Sequence, residues 1–270
     1  MDTRIGLSRL RVCVRGGGDV ATGVIWRLHV CGFRTLVTEI PFPLAVRRRV
    51  AFSEAVYDGT ATVEGVEAVR IDGISQLEAV WTQRKVPVLV DPECRTGKSL
   101  RPDVIVDGIL AKENLGTSIR DAPVVIGLGP GFTTGVDVHY VVETNRGPSL
   151  GRLLTSGSAE PDTGVPGAVQ GIASDRVIRA PGAGTWLAER DIGDTVDAGD
   201  RIGAVSGAAV QALIGGVIRG MIRPGIEVRA GMKIGDIDPR AETDRCFRIS
   251  EKALAVGGGV LEGILRFYAG

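Results

Sequence analysis

Three consecutive glycines are the residues of this chain best suited to hold a charged ligand. In Arg15-Gly-Gly-Gly-Asp-Val-Ala-Thr-Gly23 an apolar run breaks at Gly16, Gly17 and Gly18 and resumes after Asp19 as a helix-like stretch to His29. Gly16, Gly18 and Ala21 fit the pattern G-x-G-x-x-A. Glycine tolerates a positive φ, its missing Cβ lets a pyrophosphate approach the backbone, and the N–H groups of the first helical turn then face that anion. Arg34–Ile40 reads as a second strand ending in an acid, and Glu39 lies about 20 residues beyond the glycines, where a carboxylate accepts hydrogen bonds from ribose hydroxyls. The competing reading is a turn that packs a helix on a sheet and binds nothing.

Other groups could join such a site. Gly127-Leu-Gly-Pro-Gly-Phe132 is a second glycine cluster after a strand. Pro130 removes one donor, so Gly127 and Gly129 form either an anion nest or a plain loop. Lys112, Asn114 and Arg146 follow strands, and the two cations suit a phosphate or carboxylate; each is alternatively a solvated loop charge. Cys94 and Cys246 are the candidates for sulfur or selenium chemistry. Cys246 precedes a helix start, where a dipole would favour the thiolate, whereas Cys13 reads as a small core residue and Cys31 ends a helix. His29 and His139 make neither a Ser-His-Asp triad nor a metal trio, and no metal site is expected.

Positioning these groups requires a sheet. Ala68–Ile71, Val86–Asp91, Val104–Asp107, Val124–Gly127 and Tyr140–Glu143 are β-branched runs read as strands, with a helix over Ser75–Gln83. In an open parallel sheet the crevice lies outside the carboxyl ends of the strands, so Arg15, Glu39, Asp91, Asp107, Gly127 and Glu143 are expected on one rim. From about Ser156 glycine, proline and small polar residues suggest a linker or functional loop. Beyond it Ala180–Val205 and Ala212–Ile237 align without a gap, matching Gly184 with Gly216, Gly193 with Gly225, Gly199 with Gly231 and Gly203 with Gly235. The cadence resembles biotinyl and lipoyl carrier modules, but Val205–Leu213, where a carrier presents its lysine, has none. A helix is expected from Ser250 and Glu251, with Val256, Val260, Leu261, Ile264 and Leu265 on one face and Gly257–Gly259 marking either a kink or close packing.

With 270 residues and 44% hydrophobic content, two modest cores are expected. Lys plus Arg equals Asp plus Glu at 32 each, so no net field favours nucleic acid or an anionic membrane, and neither is expected as a partner. The four cysteines form no C-x-x-C pair. With no apolar signal core or membrane-length segment, this suggests a cytoplasmic protein.

Several blocks together resemble one family across nearly the whole chain. They are Arg15–Gly23, Ile109-Leu-Ala-Lys-Glu-Asn-Leu-Gly-Thr117, Ile126–Phe132, Glu143-Thr-Asn-Arg-Gly147, residues 157–167 and Cys246-Phe-Arg-Ile-Ser-Glu-Lys-Ala with Gly257-Gly-Gly-Val-Leu-Glu262. They resemble the YqeB family, accessory proteins of selenium-dependent molybdenum hydroxylases. The resemblance implies a maturation role, with a molybdenum hydroxylase as client and a molybdopterin dinucleotide as the ligand delivered or modified. The family often has histidine after the Arg-Gly of the fourth block, where this chain has Pro148, so no imidazole role carries over. The expected architecture is α/β. A Rossmann-like nucleotide-binding domain over 1–155 is followed by a linker over 156–175. A biotinyl/lipoyl-like barrel-sandwich module without its carrier lysine spans 176–240, and a helical segment closes the chain over 241–270. In the expected site Gly16, Gly17, Gly18, Asp19 and Ala21 hold the diphosphate and Glu39 a ribose. Gly127, Gly129, Asn114 and Arg146 complete the binding set, and Lys112 and Cys246 stand at the reactive end. The alternatives are an NAD(P)-dependent oxidoreductase and a non-catalytic scaffold for a client enzyme.

Overall fold

A computed structural model describes residue 6, residues 9–164 and residues 167–269. Val165 and Pro166, within the expected linker and one of the blocks of resemblance, lie outside the described residues. The chain forms two compact units. The first comprises the chain up to Pro43, Ala51–Asp162 and the chain from Ile249 on; the second comprises Leu44–Val50 and Thr163–Arg248.

The first unit begins with β1 (Arg11–Arg15), α1 (Asp19–Val30) and β2 (Arg34–Glu39), with β2 parallel to β1. Helix α1 buries Val20, Ala21, Val24, Ile25 and Leu28. It stops at Gly32, whose φ of +89° lets its N–H reach His29 O while Phe33 N–H reaches Leu28 O, a left-handed close that a side chain would strain. There follow α2 (Ala55–Asp58), β3 (Thr60–Val63), β4 (Val66–Ile71), α3 (Leu77–Thr82), β5 (Val86–Val90), α4 (Arg95–Ser99), β6 (Val104–Asp107), β7 (Val124–Leu128), β8 (Tyr140–Val142) and β9 (Leu153–Leu154). The nine strands form one sheet in the order β3-β4-β5-β2-β1-β6-β7-β8-β9. From β4 to β8 the neighbours are parallel, and the outer pairs β3/β4 and β8/β9 are antiparallel. Central strands buried on both faces need continuous apolar runs, as Val104-Ile-Val and Val124-Val-Ile supply.

Helix α5 (Glu251–Ala269) returns to this unit and lies against α1. The approach is close because both helices present small residues. A Cβ at Gly23 would fall 2.6 Å from Ala253 Cβ, and one at Gly257 would fall 2.9 Å from Gly23 O. Gly257 thus serves packing against α1 and Gly259 packing against Gly151, whose carbonyl a Cβ would meet, whereas a Cβ at Gly258 meets nothing within 4 Å; the helix runs through all three unbroken. No helix among the described residues is long and apolar enough to cross a membrane.

The second unit contains β10 (Val177–Arg179), β11 (Gly184–Ala188), β12 (Thr195–Val196), β13 (Arg201–Val205), β14 (Ala208–Gln211), β15 (Gly216–Met221), β16 (Glu227–Val228) and β17 (Lys233–Asp238). They form two four-stranded sheets, β10-β17-β15-β12 and β14-β13-β11-β16. The two repeats exchange their short strands, β12 pairing with β15 and β16 with β11. Matched glycines share backbone conformations, with φ of +141° and +149° at Gly184 and Gly216, and +93° and +75° at Gly199 and Gly231.

The expected architecture is corrected in both parts. In place of a Rossmann-like domain the chain builds a nine-stranded sheet with antiparallel margins, in which neither the β6–β7 nor the β7–β8 connection contains a helix. The helix from the chain's end covers the sheet instead. In place of a contiguous biotinyl/lipoyl-like barrel-sandwich module, the second unit takes in Leu44–Val50, with Met221 N–H donating to Val46 O at 2.6 Å. The lysine-free stretch Val205–Leu213 holds the end of β13, a turn at Ser206 and Gly207, and β14, which pairs antiparallel with β13. A local motif fixes one strand-helix-strand unit; the remaining strand order depends on pairings between residues far apart in sequence.

Candidate functional site

The carboxyl ends of the parallel strands bring the expected residues to one rim, and the loops there use most of them. Arg15 and Asp107 are paired positions on β1 and β6. The Arg15 guanidinium donates to Asp107 Oδ2 at 3.0 Å, to Leu115 O at 3.1 Å and to the Thr117 hydroxyl. Thr117 in turn donates to Asp107 at 2.5 Å. Asn114 holds the same loop, accepting from Thr117 N–H and donating to Thr117 O, both at 2.8 Å. Asn114 therefore organises the chain around Arg15.

The glycine turn has the expected shape and a different occupant. Gly16 adopts φ of +88° and donates its N–H to Thr38 O at 2.8 Å. Gly17 N–H donates to Glu39 Oε2 at 2.7 Å, and Ile40 N–H donates to Glu39 Oε1 at 2.8 Å. Glu39 thus places its own anion where a phosphate was expected to meet Gly17. Burial pushes its carboxyl upward, partly opposed by those two amides. Gly17 is also walled in, since a Cβ there would fall 2.9 Å from Ser53 N. Gly18 differs. It caps α1 with no side-chain hydrogen bond, and a Cβ built on it meets nothing within 4 Å.

Asp91 and Glu143 repeat the pattern of Glu39. Asp91 accepts from Arg95 N–H at 3.0 Å and Gly97 N–H at 2.9 Å. Glu143 accepts from Thr144 and Asn145 N–H at 2.7 Å each and from Glu160 N–H at 2.8 Å. At the second glycine cluster the close contacts are internal. A Cβ at Gly127 would strike the Phe132 ring, and one at Gly129 would strike the Thr144 side chain. These glycines make room for their neighbours.

Two helix starts supply the charge at the rim. Asp19 opens α1, and Ser250 caps α5 by accepting from Ala253 N–H at 3.1 Å. In the first turn of α5, burial and the neighbouring Arg146 push the half-buried Lys252 ammonium down, while Asp19, Glu143 and Asp162 support it. Arg146 pairs with Glu251 at 2.6 Å and Lys112 with Asp162 at 2.6 Å. The rim therefore gathers Gly18, Asp19, Arg146 and Lys252, with Lys112 joined through Asp162. Sequence reasoning missed Lys252 and Asp162. Lys252 sits two residues after a recognisable cap, but no local signal places α5 beside α1.

Cys246 belongs to the second unit. It lies in a 3-10 turn, Thr243–Cys246, is 1% exposed and donates its thiol to Ile218 O at 3.7 Å. Burial pushes the thiol up, against Arg219 and Arg47. The expected thiolate at a helix start is thus replaced by a buried, protonated thiol.

No family model matches the chain. It is 46% identical over 254 residues to a protein of Escherichia coli (strain K12) named uncharacterized protein YqeB, covering 94% of this chain and 47% of that one. The chain therefore spans about half the length of this curated relative. Among solved structures, TcdA (CsdL) is similar over 97% of this chain and 87% of its own at 12% identity, with a TM-score of 0.35. A succinylglutamate desuccinylase/aspartoacylase from Rhodobacter sphaeroides is similar over 84% of each chain at 14% identity, with a TM-score of 0.28.

Proposed function

We propose that the rim of the first unit binds an anionic, phosphate-bearing ligand of dinucleotide type at the start of α1. The observation that carries this reading is the start of α1, where a Cβ on Gly18 would meet nothing within 4 Å and the next residue, Asp19, lies within electrostatic reach of the half-buried Lys252. An N-terminal helical turn offers amide donors and a positive dipole end, and a cation in a partly desolvated position strengthens its pull on a phosphate. The glycine turn contributes through Gly18 and the residues after it, because Gly16 and Gly17 spend their amides on Thr38 and Glu39. Arg146 offers a second cation at the same rim.

The blocks that resemble the YqeB family support a role for this ligand as cargo. On this reading the chain is an accessory protein in the maturation of a selenium-dependent molybdenum hydroxylase, and the dinucleotide is the molybdopterin form of that enzyme's cofactor. The protein's own part is to bind the phosphates and orient the ligand. Isothermal titration of the full chain with a cytosine dinucleotide and with NADH tests the site. Gly18→Val, which puts a branched side chain over the start of α1, and Lys252→Gln are each expected to weaken binding at least tenfold, about 1.4 kcal/mol. Equal affinity in the wild type and both variants would remove the site from α1.

A further inference from the structure

Cys13 and Cys94 are far apart in sequence, one inside β1 and the other in the loop before α4. Their sulfurs lie 3.5 Å apart, and both side chains are buried. Cys13 is fixed mid-strand, opposite Leu36 on β2 and Ile105 on β6. Cys94 is held in the left-handed region at φ of +55°, with its N–H donating to Asp91 O at 2.9 Å, while the Asp91 carboxylate anchors the turn that follows. Gly97 lies over the pair. A Cβ there would fall 2.7 Å from the Cys94 sulfur and 2.8 Å from that of Cys13, so any side chain at this position would press on both sulfurs and only glycine fits. A cavity of ≈160 Å³ reaches the pair from the Cys13 side, lined among others by Cys13, Gly97, Leu36, Trp81 and Leu100, with Cys94 lying behind Cys13 and Gly97. That volume admits a molecule of the size of water or peroxide.

We propose that Cys13 and Cys94 form a reversible dithiol–disulfide couple, oxidised by a small peroxide that enters through this cavity. Hydrogen bonds from the Cys13 thiol and from Thr38, with Arg15 nearby, draw the Cys94 thiol down, while the same contact and burial push Cys13 up. Cys94, drawn down and lying beneath Gly97 of the cavity wall, is accordingly the attacking sulfur. Its thiolate displaces hydroxide from the peroxide, breaking the O–O bond and leaving a sulfenic acid, and the hydroxide takes a proton to become water. The Cys13 sulfur then attacks Cys94 Sγ, the S–O bond breaks, and the departing hydroxide takes the Cys13 proton as a second water. Two thiols and one peroxide give one disulfide and two waters, the sulfurs losing the two electrons that the peroxide gains. A thiol reductant reverses the bond by exchange. The inference does not rest on the anion site.

The test uses the full folded chain carrying Cys31→Ser, which removes the exposed thiol. The reduced protein is treated with one equivalent of hydrogen peroxide, alkylated under denaturing conditions and mass-mapped. The expected result is a loss of two hydrogens, two fewer alkylated thiols and a cross-linked Cys13–Cys94 peptide that dithiothreitol releases. Adding Cys94→Ser is expected to abolish the link and slow loss of the Cys13 thiol at least tenfold. Full alkylation of both cysteines after peroxide, or oxidation of Cys246 as fast as of the pair, would overturn the proposal. The measurement on the intact pair stands even if the serine variant fails to fold.

Discussion

Arg15 ends β1 with its side chain 3% exposed against Asp107 at 2%, so the pair has left water behind. Removing one member of a buried, hydrogen-bonded ion pair strands the other, whereas replacing both by apolar groups of similar shape is often neutral. Arg15→Met is therefore expected to cost about 3–5 kcal/mol in urea unfolding, and Arg15→Met with Asp107→Leu to recover most of it. A double variant no more stable than the single one would refute the account. Glu39 makes a pH-dependent prediction. Its carboxyl is raised by burial, so between its ordinary value of about 4.3 and the higher folded value the folded state holds more protons than the unfolded one. Its favourable contribution is present below the unfolded value and is lost as pH rises through the folded one. Wild type is thus expected to lose stability relative to Glu39→Gln as pH rises above the ordinary value of about 4.3, and a flat difference would sink this reading. The acids at the strand ends were legible as a set in the sequence, because open parallel sheets gather polar groups there. Their use was not. Whether an acid serves a ligand or a loop amide depends on how the loop folds back, as residues 144–160 do onto Glu143.

At the scale of elements, the contact between α1 and α5 rests on missing side chains. Gly23 faces Ala253 and Gly257 faces the Gly23 carbonyl, so a methyl group at either position meets the partner helix. In an isolated helix Gly→Ala stabilises, by up to about 1 kcal/mol. Here Gly23→Ala is expected to destabilise by roughly 1–3 kcal/mol, the cost of overpacking, when followed by thermal or urea unfolding. Gly18→Ala is the control, since its Cβ meets nothing within 4 Å and the expected change is within about 0.5 kcal/mol. Similar effects at both glycines would mean that the helices do not touch as described. Strands and helices over 66–71, 86–90, 104–107, 124–128, 140–142 and 251–269 were legible, because runs of Val and Ile and a Ser-Glu cap carry strong local signals. The partnership of α1 with α5 was not, since small residues that allow close approach look like breakers in the sequence.

At the scale of the whole molecule, the chain enters the first unit three times and the second twice. The internal repeat was visible because matched glycines must recur wherever matched turns recur, whereas the discontinuity was not, because Leu44–Val50 carries no mark of the unit it joins. This organisation makes the last helix integral to the sheet unit. Ala253, Val256, Val260 and Ile264 of α5 are all 0% exposed. Burying Val256, Val260 and Ile264 contributes about 1.5–3 kcal/mol each. Their sum is comparable with the entire stability of an ordinary domain, roughly 5–15 kcal/mol. A chain ended after Arg248 is therefore expected to lose cooperative unfolding of the first unit, with rapid amide exchange in β1, β7 and α1 by hydrogen-exchange mass spectrometry. The repeated sheets of the second unit keep all their strands in that truncation, so their amides are expected to stay protected. If α5 were instead an independent terminal segment, protection in α1 would be unchanged by its removal, and the two patterns are distinguishable in one experiment.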